Sequence, residues 1–267
     1  MEEKIRNIPE ILENELSEII KKIAKDYNIQ PFIKNPDFLE KRLEKWHQFG
    51  LLSHTKKVRE VFLNELNNCL KNWNLYERIQ DNLTKEIKGI KKKVLLESSI
   101  PLHDLGKIIV CGDHSKNRKH EVASRNLIYE DFLNNKLKSL NLSPTNIDYI
   151  ACCVENHYIL GKQIRDILKE TKKFSLESLS QEKVNQQCKA LAEEYSDIKT
   201  EIGIFYLCDS LGKTNIRIKA NNDNEIIQQE QKIIKTLKKR NLPENLKYAV
   251  MQLPVNLKLA EIYLRLL

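Results

Sequence analysis

The stretch Pro101–Lys107 reads P-L-H-D-L-G-K, with an imidazole, a carboxylate and an amine close together. His103 and Asp104 are adjacent, at the end of an apolar approach formed by Val94, Leu95, Leu96, Ile100 and Leu102. A neighbouring imidazole and carboxylate can bind one metal ion, and the second carboxylate oxygen can reach another. Lys107, three residues after Asp104, lies one helical turn away and offers a cation to an anionic substrate.

This pair has company along the chain: His54 upstream, then His120, His157 and Asp209 downstream. Each is in register with an apolar helical stripe. His54 shares a face with Val58 and Phe62, His120 with Ala123, Leu127 and Ile128, and His157 with Ile147, Ile150 and Val154. Asp209 takes the inward position after Ile202, Phe205 and Tyr206. Burying an unpaired neutral polar group costs about 2–7 kcal/mol, and an isolated charge more. Groups from five segments that share one core therefore gain by sharing a cation. Mixed nitrogen and oxygen donors suit Mn, Fe, Zn, Ni or Co better than Mg.

The ordered set H…HD…H…H…D resembles the HD-domain superfamily of metal-dependent phosphohydrolases over roughly residues 54–213. The resemblance implies an all-α fold with an HD-domain helical core and a centre of two divalent transition metals. It assigns His54, His103, Asp104 and Asp209 to one metal, with Asp104 bridging to a second held by His120 and His157. His120 opens K-H-E-V-A-S, similar to the H-E-x-x-S segment of many members. His114 competes for that place, but a helix directly after His120 favours the latter. The resemblance makes Asp104 and Lys107 the catalytic pair, with Lys107 neutralising substrate phosphate. Lys213 and Arg217, at four-residue steps after Asp209, are expected on one helix face as further substrate-binding cations. Glu121 and Glu155 are expected to orient ligand imidazoles, whereas His47 reads as structural or surface.

Departures from family patterns narrow the branch. There is no G-Y-P motif, Tyr158 replaces a second His after His157, and position 107 is Lys rather than Glu. The chain is closest to the H-D-x-G-K branch, which implies action on phosphoesters of a phosphorylated small molecule, a nucleotide or a nucleic acid. Two other readings stand beside it. One is a di-iron oxygenase of the same superfamily, acting on a small polar substrate. The other is a non-catalytic module that binds nucleotide, against which the complete ligand set argues.

The elements that must position these residues read as helices, because apolar residues recur every three or four positions and Gly and Pro number only seven each. Residues 1–48 are expected to form an N-terminal helical cap, with one amphipathic helix from Ile5 to Ile23 and a second starting near Asp37. Residues 49–220 form the metal-binding domain, and 221–267 add helices to the same core. Leu75–Ser99 reads as a polar helical stretch whose Lys85–Lys93 run is a solvated face. Ile108–Lys119 reads as a loop, and Thr145 or Asn146 as the cap of the following helix. Glu170–Lys189 reads as a surface excursion. The C-terminal part breaks at Pro243, and a last helix follows Pro254.

Lys and Arg outnumber Asp and Glu by 45 to 37, a net charge of +8 that looks diffuse along the chain. It is compatible with polyanions, but solubility is the better reading of it. Six cysteines without a C-x-x-C pair, and no signal-like segment, suggest reduced thiols in the cytoplasm. Cys152, Cys153 and Cys208 read as small core residues. No apolar run reaches the roughly 20 residues needed to span a bilayer, so no membrane partner is expected.

Overall fold

The structure, a computed structural model, describes residues 7–30, 47–113, 119–168 and 175–267, with only the backbone at 111–113. The helix expected from Asp37, and His114, lie outside the described residues.

Chain order begins with α1 (Ile8–Asn14), α2 (Leu16–Asp26), α3 (Leu51–Asn64), α4 (Leu66–Asn72) and α5 (Tyr76–Thr84). A short hairpin of β1 (Glu86–Ile87) and β2 (Ile90–Lys91) follows, then α6 (Lys92–Ser99), a 3-10 turn (Ile100–Leu102) and α7 (Gly106–Asp113). Next come α8 (His120–Tyr129), α9 (Asp131–Ser139), α10 (Pro144–Asn156), α11 (Ile159–Ile167) and α12 (Glu182–Glu194). The chain closes with α13 (Lys199–Gly212), α14 (Asp223–Gln228), α15 (Glu230–Lys239) and α16 (Lys247–Leu266). The fold is all-α, with that hairpin its one sheet among the described residues.

The organising element is α13, buried from Thr200 to Gly212 on every face. It packs against α16 on one side and α3 on another, while α10 packs on α6 and α8 sits between α7 and α10. Gly212 permits the closest of these approaches. A Cβ there would stand 2.5 Å from Val58 Cγ2 and 3.2 Å from Val58 Cα, so the end of α13 meets α3 only because residue 212 has no side chain. That approach brings His54 to Asp209.

Several expectations are corrected. The Lys85–Lys93 run is a hairpin, because Lys88 and Gly89 turn the chain with φ of 49° and 81°, pairing Ile87 with Ile90. Residues 108–113 continue helix α7 instead of looping; Ile108 and Ile109 are both buried, so no solvent face marks the helix in sequence. The stretch Glu182–Glu194 is helix α12, not a surface excursion. It packs Val184, Cys188 and Leu191 inward at helical spacing despite its polar composition. The cap of α10 is Ser143, which forms a capping box with Asn146 ahead of Pro144. Helix α16 runs through Pro254, which lies on its buried side and removes a single backbone donor.

Candidate metal centre

The six ligand-type side chains come from five segments. Helix α3 presents His54, and the turn after the 3-10 segment presents His103 and Asp104. His120 opens α8, His157 follows the last residue of α10, and Asp209 stands in the last turn of α13. Gly106 makes the join between Asp104 and His120. Its N–H donates to Ser124 Oγ at 2.8 Å, and a Cβ there would strike the backbone of His120 and Ser124.

The carboxylate of Asp104 is the hub. Its Oδ2 faces His103 Nε2 at 3.2 Å, His54 Nε2 at 3.6 Å and Lys107 Nζ at 2.8 Å. Its Oδ1 faces His120 Nε2 at 3.4 Å and His157 Nε2 at 4.0 Å. Asp209 Oδ1 lies 3.1 Å from His54 Nε2, and its Oδ2 is held by Lys213 at 2.9 Å. Donor atoms within 4.8 Å of one another form three overlapping groups: His54, His103 and Asp209; His103, Asp104 and His157; His47, His54 and Asp104. All of these residues are buried.

The other nitrogen of each ring explains the shared orientation. Nδ1 of His54, His103 and His157 faces the carbonyls of Gly212, Ile100 and Val154 at 3.3, 2.7 and 2.8 Å. A carbonyl only accepts, so Nδ1 is the donor in each of these bonds, which turns Nε2 toward the carboxylates. His120 Nδ1 lies 3.3 Å from Glu121 Oε2. Four imidazoles thus present Nε2 to one carboxylate, anchored from behind as metal-binding histidines are.

Electrostatics support the same arrangement. Burial alone would raise the Asp104 carboxyl, but His103 and Lys107 hold it well below the usual carboxylate range. Asp209 is held low in the same way, against its burial, by Lys213 and His54. Burial pushes His120 down to about 4 and His157 to about 3, so both rings are neutral near pH 7. His103 goes the other way: burial disfavours its charge, but adjacent Asp104 outweighs it. His103 Nε2, Asp104 Oδ1 and His120 Nε2 are buried with no hydrogen-bond partner. Such orphans are rare in folded proteins and costly unless something supplies the missing partner. A bound metal ion would supply partners here, and the buried His and Asp groups could hold one.

Above the cluster lies a cavity of about 290 Å³, lined by Lys107, Lys213, Arg165, Tyr158, His47, Gln252 and Asn256 together with His120, His157 and Asp209. Tyr158 carries two cations against its ring, Lys213 Nζ at 4.7 Å and Arg165 Cζ at 5.0 Å from the centroid. Tyr206 donates to Asn256 at 2.8 Å and fixes the α16 wall.

Not every expected residue is here. Arg217 does not share a helix face with Lys213, because α13 ends at Gly212 and the chain turns away. Its guanidinium reaches back to the carbonyls of Leu211 and Thr214, capping the end of α13. Glu155 pairs with Arg125 at 3.1 Å rather than with His157. Conversely, His47 is buried with its ring 4.2 Å from that of His54. Arg165 also joins the cavity unannounced by any motif. His47 offered no helical register to read, since it precedes the Gly50 cap. Cys153, Cys188 and Cys208 are buried, and none of the described cysteines joins the three donor groups. No described helix is long and apolar enough to cross a membrane.

No family model matches the chain, and neither a curated protein nor a solved structure resembles it significantly.

Proposed function

We propose that this protein is a metal-dependent phosphohydrolase of the HD type, cleaving a phosphomonoester or phosphodiester of a nucleotide-like substrate. The observation that carries the reading is the division of Asp104, with one oxygen toward His54 and His103 and the other toward His120 and His157. A carboxylate so divided suits two cations, one on each side. His54, His103, Asp104 and Asp209 would hold the first; Asp104, His120 and His157 would hold the second.

Bound divalent ions supply Lewis acidity and make a nucleophile of water near neutral pH, the usual requirement of phosphoryl transfer. The chain's own residues do the rest. Lys107 and Lys213, held against Asp104 and Asp209 at 2.8 and 2.9 Å, point their charge at the cavity floor and neutralise an incoming phosphoryl group. Arg165 and Tyr158 form the outer wall, where the guanidinium offers a planar fork to a second anionic group. Phe205, with ring centroids 5.5 Å from His103 and 5.6 Å from His157, keeps the inner side apolar.

The test is hydrolysis of nucleotides, cyclic nucleotides and single-stranded oligonucleotides by protein reconstituted anaerobically with Mn²⁺, with Asp104→Ala as control. Turnover lost in the variant is the expected result. Two bound ions with no turnover on any ester would overturn it.

A further inference from the structure

Between Lys213 and Arg240 the chain has eight Lys or Arg against three acids, a net of +5 in 28 residues out of +8 for the whole. The charge that looks diffuse along the chain is therefore concentrated, and the fold concentrates it further. Segment 215–218 and helix α15 enclose a groove of about 210 Å³ lined by Arg217, Lys232, Arg240 and the amides of Asn215 and Gln229. Along α15 and its two caps, Gln229, Lys232, Thr236 and Arg240 recur every three or four residues and so share one face. Lys235 and Lys239, both exposed, extend that face by one stripe.

Apolar residues beneath it, Ile216, Ile233, Leu237, Leu246 and Val250, pack as a small separate core that holds the two walls together. No described carboxylate lines the groove. Glu230, the one acid of α15, is held by Lys247 at 2.8 Å, and Arg217 meets Glu65 at the rim at 3.6 Å.

The groove adjoins the cavity over the metal centre. Lys213 lines the cavity and Asn215 opens the groove, two residues and at most about 7 Å of chain apart. Gln48 pins this join: its N–H donates to Lys213 O at 2.8 Å, and its side-chain oxygen accepts from Asn215 N at 2.9 Å and Thr214 Oγ1 at 3.1 Å.

We infer that the groove carries the phosphodiester backbone of a single-stranded nucleic acid toward the metal centre. The inference rests on the phosphohydrolase reading for the chemistry at the end of the track, and on the groove alone for binding. Lys232 and Arg240 in the groove, with exposed Lys235 and Lys239 beside them at helical spacing, suit the phosphates of an extended backbone. The metal-side donors lie behind a cavity of about 290 Å³, too small to take in a duplex. No described aromatic lines the groove, so recognition is of the backbone and tolerates sequence.

The test is fluorescence anisotropy of labelled DNA and RNA strands with the full chain in EDTA, so that no hydrolysis intervenes. Wild-type protein is expected to bind a strand in preference to a duplex of the same length, about twentyfold more weakly when salt rises fourfold, as three phosphate contacts require. The DNA and RNA arms report which backbone is preferred. Lys232→Glu combined with Arg240→Glu, both at exposed positions, is expected to weaken binding at least about tenfold with an unchanged melting temperature. Undiminished binding by this variant, no binding by wild type, or preference for the duplex would overturn the inference. Binding lost in the variant while Mn²⁺-loaded wild type hydrolyses nothing would instead leave the groove standing and remove the chemistry.

Discussion

His54 Nε2 on α3 lies 3.1 Å from Asp209 Oδ1 on α13, joining residues 155 positions apart at the point where Gly212 touches Val58. The contact ties metal-side chemistry to helix packing, so changes at a packing point are felt at the ligands.

Replacing Asp104 with Ala removes the carboxylate common to both sets of imidazoles. Wild type is expected to bind two equivalents of Mn²⁺ and the variant less than one, measured by elemental analysis after desalting. Its far-ultraviolet circular dichroism should stay helical, because Asp104 contributes no backbone contact that another residue could not make. Two equivalents retained would show that Asp104 does not bridge.

Gly106→Ala tests the packing side. A Cβ would press on the backbone of His120 and Ser124, which cannot rotate away as a side chain can. A loss of about 3 kcal/mol in urea unfolding is expected, the upper range of overpacking costs. Metal affinity should fall with it, since α8 must shift and carries His120. Wild-type stability in this variant would mean that α7 and α8 approach less closely than described.

His47 was unremarkable in sequence but lies with His54 and Asp104 in one group of donor atoms. His47→Gln is expected to weaken Mn²⁺ binding about tenfold, the lower end for groups that support a metal site. Titration calorimetry of wild type and variant decides it, with equal affinities counting against a role at the centre.

Metal-free protein should be sensitive to acid. His120 and His157 titrate near 6.5 when unfolded but at about 4 and about 3 when folded, because burial opposes their charge. Between those values the unfolded chain binds more protons, so stability falls as pH drops from about 6.5 toward 4. His103, raised by Asp104, acts in the opposite sense and offsets part of this. Urea midpoints in EDTA should therefore be lower at pH ~5 than at pH ~7.5. A flat profile would mean that the two rings are not neutral in the folded apo-protein.

A second buried ionic group offers a contrast. Glu201 on α13 accepts from Tyr149 at 2.5 Å and from Lys92 at 3.2 Å, away from the metal-side cluster. Glu201→Ala leaves the buried Tyr149 hydroxyl without its acceptor, while Lys92 keeps the Asp197 carbonyl at 2.9 Å, and is expected to cost about 2 kcal/mol of stability. Mn²⁺ stoichiometry should not change. Altered stoichiometry would show that α13 transmits the disturbance to Asp209.

The sequence by itself determined the helical class and the ordered set of chemistry-bearing residues. Helices with one wet face show a 3.6-residue rhythm, as in Ile8–Asp26 and α10, and a His or Asp on the dry face stands out against it. That rhythm vanishes where an element is buried all round or its turn is local. Ile108 and Ile109 in α7 therefore looked like a loop, and the Lys88–Gly89 hairpin like a helix face. Composition misled at α12, where three inward residues suffice to bury a polar helix.

Only the tertiary structure decided how the ligand-type residues meet. Sequence spacing cannot say which Asp104 oxygen faces which imidazole, because that depends on how α3, α8 and α10 cross. Nor could it show that α13 stops at Gly212, which takes Arg217 out of the cavity, or that Arg165 and His47 enter it. Periodicity governs positions within one helix, whereas a site assembled from five segments is set by close approaches such as Gly106 against α8 and Gly212 against α3.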